Sequence, residues 1–507
     1  MSDTGGGSCE MNFNNVRVTN RTEQTGSKEM LKIVQWRRAL QYAAAFTAAL
    51  TFLMAGTFAS WTSPTLPKLE EVHSHIPITR DQGSWIVSLL GVGGILAPLP
   101  AGYLVNKYGR RPLLIFSALP FLLAWLLIIF ARSAVDLMVS RTVCGLGAGI
   151  AFAVCPIYLG EIAEDSVRGI LGTLMQLMMN LGSMFEYSLG PYVSYTTLGV
   201  LSSVFPVVFL VLMFFMPESP YFLLMQDRRD EAEIALMRLR GQTDRQHIQE
   251  ELARIQNVLA EQMKEESRPR DLIATRGTRR ALVIMIGLIL IQQFGGIMAI
   301  LSNAQDVFEI TPGSSLSSSE CAIVVGGIQT LASISTSSLV DRLGRRPLLL
   351  TSTFGCAASL VVMGAYQYIH LKTDMDTAAY DWLPLLCLVV FLVTYSLGIG
   401  PLPIAMMGEM FPSNVKGVAL SIGAMLLSFC FVLVTKLYQV AVDGLGAYFT
   451  FWFFAGVSTV GIFFVFFLVP ETKGKSLGNI VLELNGAKPE KHVGRTGDQQ
   501  SVFTIST

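Results

Sequence analysis

"DRLGRRPLLL" (Asp341–Leu350) and "NKYGRRPLLI" (Asn106–Ile115) are two copies of one basic phrase, each set between long apolar runs. Glycine, two arginines and proline at fixed spacing make a tight turn: Gly109 or Gly344 permits the bend, and Pro112 or Pro347 opens the next helix. The copies keep one offset, whether measured from Asn106 to Asp341 or from Arg111 to Arg346. A second echo pairs "GEIAEDSVRG" (160–169) with "GEMFPSNVKG" (408–417), and a third pairs "PESP" from Pro217 with "PETKG" from Pro470. Three echoes in the same order predict a duplicated unit.

The surroundings say what kind of unit. The chain has 507 residues, 51% hydrophobic and only 15% charged, against about 25% charged in soluble domains. Apolar runs of about 20 residues, long enough to cross roughly 30 Å of hydrocarbon, recur along nearly its whole length. Twelve spans are expected, near 40–60, 84–105, 112–131, 137–159, 169–192 and 197–216, then 281–301, 320–340, 347–369, 384–406, 417–440 and 447–468. The expected fold class is an all-α membrane protein of twelve transmembrane helices in two parallel six-helix repeats. Its expected parts are a disordered cytoplasmic tail (1–36), an N-terminal bundle (37–216), a cytoplasmic linker with amphipathic helices (217–280), a C-terminal bundle (281–469) and a cytoplasmic C-terminal tail (470–507). Parallel repeats of this kind hold a substrate site near mid-membrane and rock to expose it alternately.

Orientation follows from lysine and arginine placement in short loops. Lys107, Arg110, Arg111, Arg342, Arg345, Arg346 and the linker bases mark one face as cytoplasmic, so both termini are expected inside the cell. In the linker, Ile248, Leu252, Ile255, Leu259 and Met263 keep a helical period, which predicts an amphipathic helix packed under the bundle. A net charge of zero argues against nucleic acid as a partner. The seven cysteines have no ligand-like spacing, so neither a metal site nor a disulfide framework is expected. No cofactor is implied, and no enzymatic constellation is visible.

The repeated arginines have acids to meet. Glu161 and Arg168 in the first half, with Glu409 and Lys416 in the second, sit on the same face as Arg110, Arg111, Asp341, Arg345 and Arg346. Charge-assisted pairs there are expected to latch one access state. The tenth span carries Gly398, Gly400, Pro401 and Pro403, and prolines remove internal hydrogen bonds. A break at Gly400, Pro401 and Pro403 is therefore expected to be the moving gate.

"GYLVNKYGRRP", "RTVCGLGAG" (from Arg141), "PIYLGEIAEDSVRG" (from Pro156), "PESP", "QQFGGI" (from Gln292), "DRLGRRP", "GPLPIAMMGEMFPSNVKG" (from Gly400) and "PETKGKSL" together resemble the sugar porter branch of the major facilitator superfamily. Insect facilitated trehalose transporters and glucose facilitators are the members most alike. The resemblance implies a transporter moving a hexose or trehalose-like sugar across the lipid bilayer, by default through facilitated uniport, because the first span has no acid and offers only Thr47, Thr51 and Thr57. It places Gln176, Gln292 and Gln293 on sugar hydroxyls, and it places Arg141 near the cytoplasmic side, in the latch. The chain departs from the pattern where Met298 replaces an asparagine, Ile404 a tryptophan, and Leu427 with Ser428 an asparagine–tryptophan pair. Asn106 replaces an aspartate and Ser337 a glycine. Other readings stay open: a different small polar solute, proton symport through Glu186, or a sugar sensor. Glu186 reads equally as a proton site or as a neighbour of an aqueous vestibule, and Lys436 as a snorkelling lysine. Plasma membrane is the expected location.

Overall fold

The computed structural model describes residues 39–71, 73–164, 168–241, 245–264, 272–302, 317–373, 380, 382–411, 413–473 and 483–484. The first half comprises α1 (Ala39–Glu70), α2 (Arg80–Leu96), α3 (Pro98–Tyr108), α4 (Arg110–Ile129), α5 (Ala134–Ile162), α6 (Arg168–Leu189) and α7 (Tyr195–Phe215). Three linker helices follow: α8 (Pro220–Met225), α9 (Arg229–Arg240) and α10 (Arg245–Lys264). The second half comprises α11 (Arg276–Phe294), α12 (Ile297–Ser302), α13 (Ser318–Leu343), α14 (Arg345–Lys372), α15 (Leu383–Leu397), α16 (Leu402–Met410), α17 (Ser413–Leu445) and α18 (Ala447–Leu468).

Among the described residues nine stretches are long and apolar enough to cross a bilayer, ten if the bent pair α2–α3 is one span. Helix α6 and the apolar run Ser319–Ser335 within α13 fill the two remaining positions of the twelve. Side chains such as Phe214, Phe467 and Tyr103 stand 67%, 73% and 71% exposed, an outward apolar surface that only lipid can cover. The linker helices leave from one end of the bundle, called here the linker face; the opposite end, where α1 hands over to α2, is the far face.

Three spans are interrupted, each by residues that cannot sustain the helical ladder. Pro98 lacks an N–H, and α2 and α3 meet there at 43°. The seventh span breaks between α11 and α12 at Gly295 and Gly296, the latter at φ +87°. The tenth stops at Leu397 and restarts at Leu402, over the Gly398–Pro401 stretch.

Buried apolar side chains form two large clusters, one running from Ala44 to Leu239 and one from Leu272 to Leu484. Small residues let helices within a half meet backbone to backbone. A Cβ on Gly56 of α1 would lie 2.0 Å from the Met179 carbonyl of α6, and one on Gly182 would lie 2.2 Å from the Leu53 carbonyl. This is the small-residue seam by which membrane helices associate without a hydrophobic drive, and it fixes α6, hence Gln176, against α1.

The linker is fastened to the first half. Helix α10 buries Ile248, Leu252, Ile255 and Leu259, and the first two cluster with Leu223, Ala232, Ala235 and Leu236. Arg240 donates to the Ile162 carbonyl at the end of α5 (2.9 Å) and pairs with Glu251 (2.7 Å) and Glu164 (3.7 Å).

Candidate functional site

The three glutamines singled out above lie within the spans, and each has its amide NH₂ occupied. Gln292 Nε2 donates to the Gly400 carbonyl (2.7 Å) and the Tyr395 hydroxyl (3.3 Å). Gln293 Nε2 donates to the Leu427 carbonyl (3.0 Å). Their Oε1 atoms are buried and unpartnered. Gln176 Nε2 donates to Asn180 Oδ1 (3.0 Å), and Asn180 Nδ2 crosses to the second half, reaching Ser333 Oγ (2.6 Å) and the Gln329 carbonyl (3.5 Å). Asn180, Gln329, Ser333 and Tyr395 were not legible as partners in the sequence. Their signal was polarity inside an apolar helix, which names a buried residue without naming what it meets.

The break in the tenth span and the glutamines are one structure. Pro401 and Pro403 supply no N–H to the ladder, and the irregular backbone is held from outside it: Gln292 caps Gly400, and Ser352 Oγ accepts from the Ile399 N–H (3.0 Å). A Cβ on Gly400 would lie 2.9 Å from the Tyr395 ring. Among the substituted positions, Met298 and Leu427 pack against the second-half core, while Ile404 is 51% exposed. Beside Leu427, Ser428 lies against α2, its Oγ 2.8 Å from where a Gly94 Cβ would stand.

On the linker face the echoes explain one another. The glutamate of "PESP", Glu218, accepts the backbone N–H groups of Arg110 and Arg111 (both 3.2 Å), and the glutamate of "PETKG", Glu471, accepts those of Arg345 (3.0 Å) and Arg346 (3.1 Å). A carboxylate thus sits on the N-terminus of α4 and of α14, where unpaired amides and the helix dipole favour negative charge. Gly109 (φ +103°) and Gly344 (φ +92°) are required twice over, since a Cβ there would approach Glu218 Oε2 to 2.5 Å and Glu471 Oε2 to 2.8 Å. Burial pushes the Glu218 carboxyl above its ordinary range despite the N–H groups of Ser219, Arg111 and Arg110. Burial also raises Glu471, but the N–H groups of Lys473, Arg345, Arg346 and Thr472 outweigh it and hold the group below its ordinary range.

The arginine side chains divide differently from the expected latch. Arg110 pairs with Glu161 (2.7 Å), which also accepts from Ser219 Oγ, and so joins α4 to α5 within one half. Arg111 instead caps the end of α7 at the Met213 (3.3 Å) and Phe214 carbonyls, and Arg346 repeats this on the Phe466 carbonyl (2.5 Å) of α18. The side chains of Arg168, Asp341, Glu409 and Lys416 lie outside the described set.

Arg141 is corrected. It lies two turns from the start of α5, on the far-face side, fully buried, and takes no part in the linker-face network. Its Nε donates to the Ile86 carbonyl (3.1 Å), its Nη1 to that of Phe58, and the guanidinium stands 5.8 Å from the Trp61 ring. Glu186 is also fully buried, and its Oε1 accepts from Ser202 (2.6 Å). Glu186 therefore lines no vestibule in this state. Counting residues from the start of the fourth span places Arg141 correctly.

Lys436 carries its ammonium to the far face, where it reaches across the halves to the exposed Asp81 Oδ1 (2.6 Å) and to Ser84 Oγ (2.8 Å) and stands over the Trp85 ring at 4.5 Å. Nearby, Thr435 donates to Ser88 (3.1 Å), Arg80 pairs with Asp443 (3.7 Å), Thr62 donates to the Ser302 carbonyl (3.2 Å) and Tyr187 to the Leu301 carbonyl (2.8 Å). These bonds close the two halves against each other at the far face. The threonines of the first span bond their own helix: Thr47 to Ala43, Thr51 to Ala48 and Thr57 to Met54, all at 2.7 Å.

Comparison with known proteins bears on this geometry. Residues 25–483 match the family described as "Sugar (and other) transporter". The facilitated trehalose transporter Tret1 of Drosophila mojavensis is 34% identical over 448 residues, 88% of this chain and 51% of that protein. Tret1 of Apis mellifera ligustica is 33% identical over 454 residues, 88% of each. The chain thus spans about half the length of the Drosophila mojavensis and Drosophila virilis relatives and most of the honeybee one. Among solved structures, the proton:xylose symporter XylE bound to 6-bromo-6-deoxy-D-glucose superposes with a TM-score of 0.72 at 22% identity, covering 87% of this chain and 98% of that one. XylE from E. coli in an inward open conformation gives 0.71 at 21% identity, covering 87% and 99%. At these identities the superpositions establish the major facilitator fold.

Proposed function

The chain belongs to the sugar transporter family, and from that premise we propose that it carries a sugar, a hexose or trehalose-like solute, across a membrane by alternating access as a facilitated uniporter. The observation that carries this reading is the set of neutral amides inside the spans: Gln292 and Gln293 on one half, Gln176 and Asn180 on the other, with Asn180 bonded across to Ser333. Amides offer hydrogen bonds at mid-membrane without the cost of a charge. The solute would rest between the two cores and leave by whichever face is open. With the far face closed by Lys436, Arg80, Thr62 and Tyr187, the solute would leave this state by the linker face.

In this reading the linker face is cytoplasmic, both termini lie inside the cell, and the host is the plasma membrane. The carboxylate-capped arginine turns keep each six-helix unit together while the units rock. The broken tenth span, whose Gly400 carbonyl is held by Gln292, is the gate: a solute that takes over Gln292 loosens the break. Met298, Ile404 and Leu427 make the site less polar than the family pattern and retune which sugar fits.

Uniport is supported by the first span, which has no acid before Glu70. A second reading, proton coupling, is favoured by Glu186, a buried carboxylate with Oε2 unpartnered. Uptake of labelled glucose, trehalose and polyols in oocytes, at two external pH values, separates them. Saturable, pH-independent flux that collapses in Gln292→Ala is the expected result. Flux that rises with external acidity and loses that dependence in Glu186→Gln selects symport. Surface-expressed protein with no flux defeats the transport reading.

A further inference from the structure

Arg111 and Arg346, the second arginines of the two repeated turns, fold back onto the last turn of the final span of their halves. Arg111 donates from Nε to the Met213 carbonyl (3.3 Å) and from Nη2 to the Phe214 carbonyl, and Arg346 donates from Nη2 to the Phe466 carbonyl (2.5 Å). The guanidinium carbon then stands 5.7 Å from the Phe214 ring in one half and 5.7 Å from the Phe466 ring in the other. Beside each ring lies a second phenylalanine, edge to face: Phe214 with Phe215 at 5.8 Å and 90°, Phe466 with Phe467 at 5.1 Å and 87°. All four rings point outward, 67%, 72%, 53% and 73% exposed in that order. The sequence spacing differs, since "FFMPES" from Phe214 becomes "FFLVPET" from Phe466. The arrangement is kept although the spacing is not.

Neither guanidinium is answered by an acid. Glu218 and Glu471 are occupied by the backbone N–H groups of the same turns, and among the described residues no carboxylate pairs with Arg111 or Arg346. Arg110, by contrast, has Glu161. An arginine carries five N–H donors, and the carbonyl caps use only some of them. Nη1 of both residues has no acceptor among the described residues, and neither has Arg346 Nε.

The rings and the charge make opposite demands within one contact. Exposed phenylalanines at the end of a span need hydrocarbon, while a guanidinium needs water or an anion. Both are met at one depth, where acyl chains give way to headgroups. The anion found at that depth is the lipid phosphodiester, and the planar fork of arginine suits phosphate oxygens.

We propose that each half carries a phospholipid site at its linker-face rim, where the free edge of Arg111 or Arg346 takes a lipid phosphate and the phenylalanine pair packs against the acyl chains. An anionic headgroup is selected, because the same turns present further exposed bases: Lys107 in the first, and in the second Arg342 and Lys473, the latter donating to the Arg342 carbonyl (2.6 Å). A lipid held there ties α4 to α7, or α14 to α18. It therefore steadies each half by itself and leaves the closure between the halves alone.

The test is lipid retention by the full-length chain in detergent, counted by native mass spectrometry, with thermal unfolding read in parallel. Dioleoylphosphatidylserine is compared with dioleoylphosphatidylcholine, with glycerophosphoserine, which lacks acyl chains, and with inorganic phosphate. One phosphatidylserine per half should be retained and should raise the unfolding midpoint. Arg111→Gln and Arg346→Gln should each weaken one site by about tenfold, the worth of a charge-assisted hydrogen bond, and the double variant should lose both. Phe215→Ala and Phe467→Ala, which leave the arginine caps in place, should weaken the same sites, so the proposal stays testable where a glutamine variant fails to fold.

A purely structural cap predicts a lower midpoint in Arg111→Gln with lipid retention unchanged, and that result would overturn the proposal. So would equal retention of phosphatidylcholine. Glycerophosphoserine or inorganic phosphate binding as well as the diacyl lipid would show a soluble-phosphate site instead and would overturn it too.

Discussion

Lys436→Ala should open the far face. In the closed state the lysine ties α17 to α2 through Asp81 (2.6 Å), Ser84 (2.8 Å) and the Trp85 ring (4.5 Å). Asp81 is 74% exposed while Lys436 is only 20% exposed, so the ion pair is placed near the low end of its range, about 0.3 kcal/mol. The cation–π contact adds about 0.5 kcal/mol and the hydroxyl bond about 0.5–1 kcal/mol. Together they favour closure by about 1–2 kcal/mol, a factor of roughly 5 to 30 in the closed-to-open ratio. The assay is alkylation of Ser302→Cys, a buried position beneath the closure, by a maleimide that cannot cross the membrane, applied at the far face. Lys436→Ala and Asp81→Ala should each accelerate labelling, the double variant should add little to Lys436→Ala, and exchanging the two charges should restore most of the slow rate. Equal labelling in Lys436→Ala and the parent, or strictly additive single effects, would refute the closure argument.

Other expectations follow from the same geometry. Gly344→Ala places a side chain at φ +92° against Glu471 and should lower stability by about 1–3 kcal/mol, read as thermal unfolding in detergent; an unchanged midpoint counts against the capped-turn description. Arg141→Ala removes the buried donor to the Ile86 and Phe58 carbonyls and should lower stability, read as thermal unfolding in detergent; an unchanged midpoint would show that those bonds do not hold α1, α2 and α5 together. The capping glutamates should answer pH with opposite signs. Glu471 is held below its ordinary range, so its contribution is present above that range and is lost as pH falls through the folded value; Glu471→Gln should flatten the acid side of a stability profile. Glu218 is raised, so the folded chain holds its proton longer and stability falls as pH climbs through the raised value; Glu218→Gln should remove that loss.

The linker-face arrangement shows where sequence reasoning stops. "PESP" and "PETKG" were visible as echoes of each other, and so were the two arginine turns. That the glutamates of one echo cap the helices of the other needed coordinates, because Glu218 and Arg110 are brought together only by the packing of α4 against α7. Helix–helix distances also send Arg111 to backbone carbonyls and Arg110 to Glu161, a division that two adjacent arginines in a string of letters do not express. Arg141 was misplaced by analogy although its position in the fourth span was countable.

What the sequence determined by itself is the number and order of the spans, their grouping into two repeated units, and the places where helices must turn or break. Lipid makes those features local: a span needs only enough consecutive apolar residues, and a break needs only glycine or proline at that point. What only the tertiary structure decided is which polar groups meet. Gln292 and Gly400, Gln293 and Leu427, Asn180 and Ser333, and Lys436 and Asp81 are each separated by more than a hundred residues. Hydrogen bonds act only at about 3 Å, so these partnerships were set when the helices packed, within the second half for the first two pairs and between the halves for the last two.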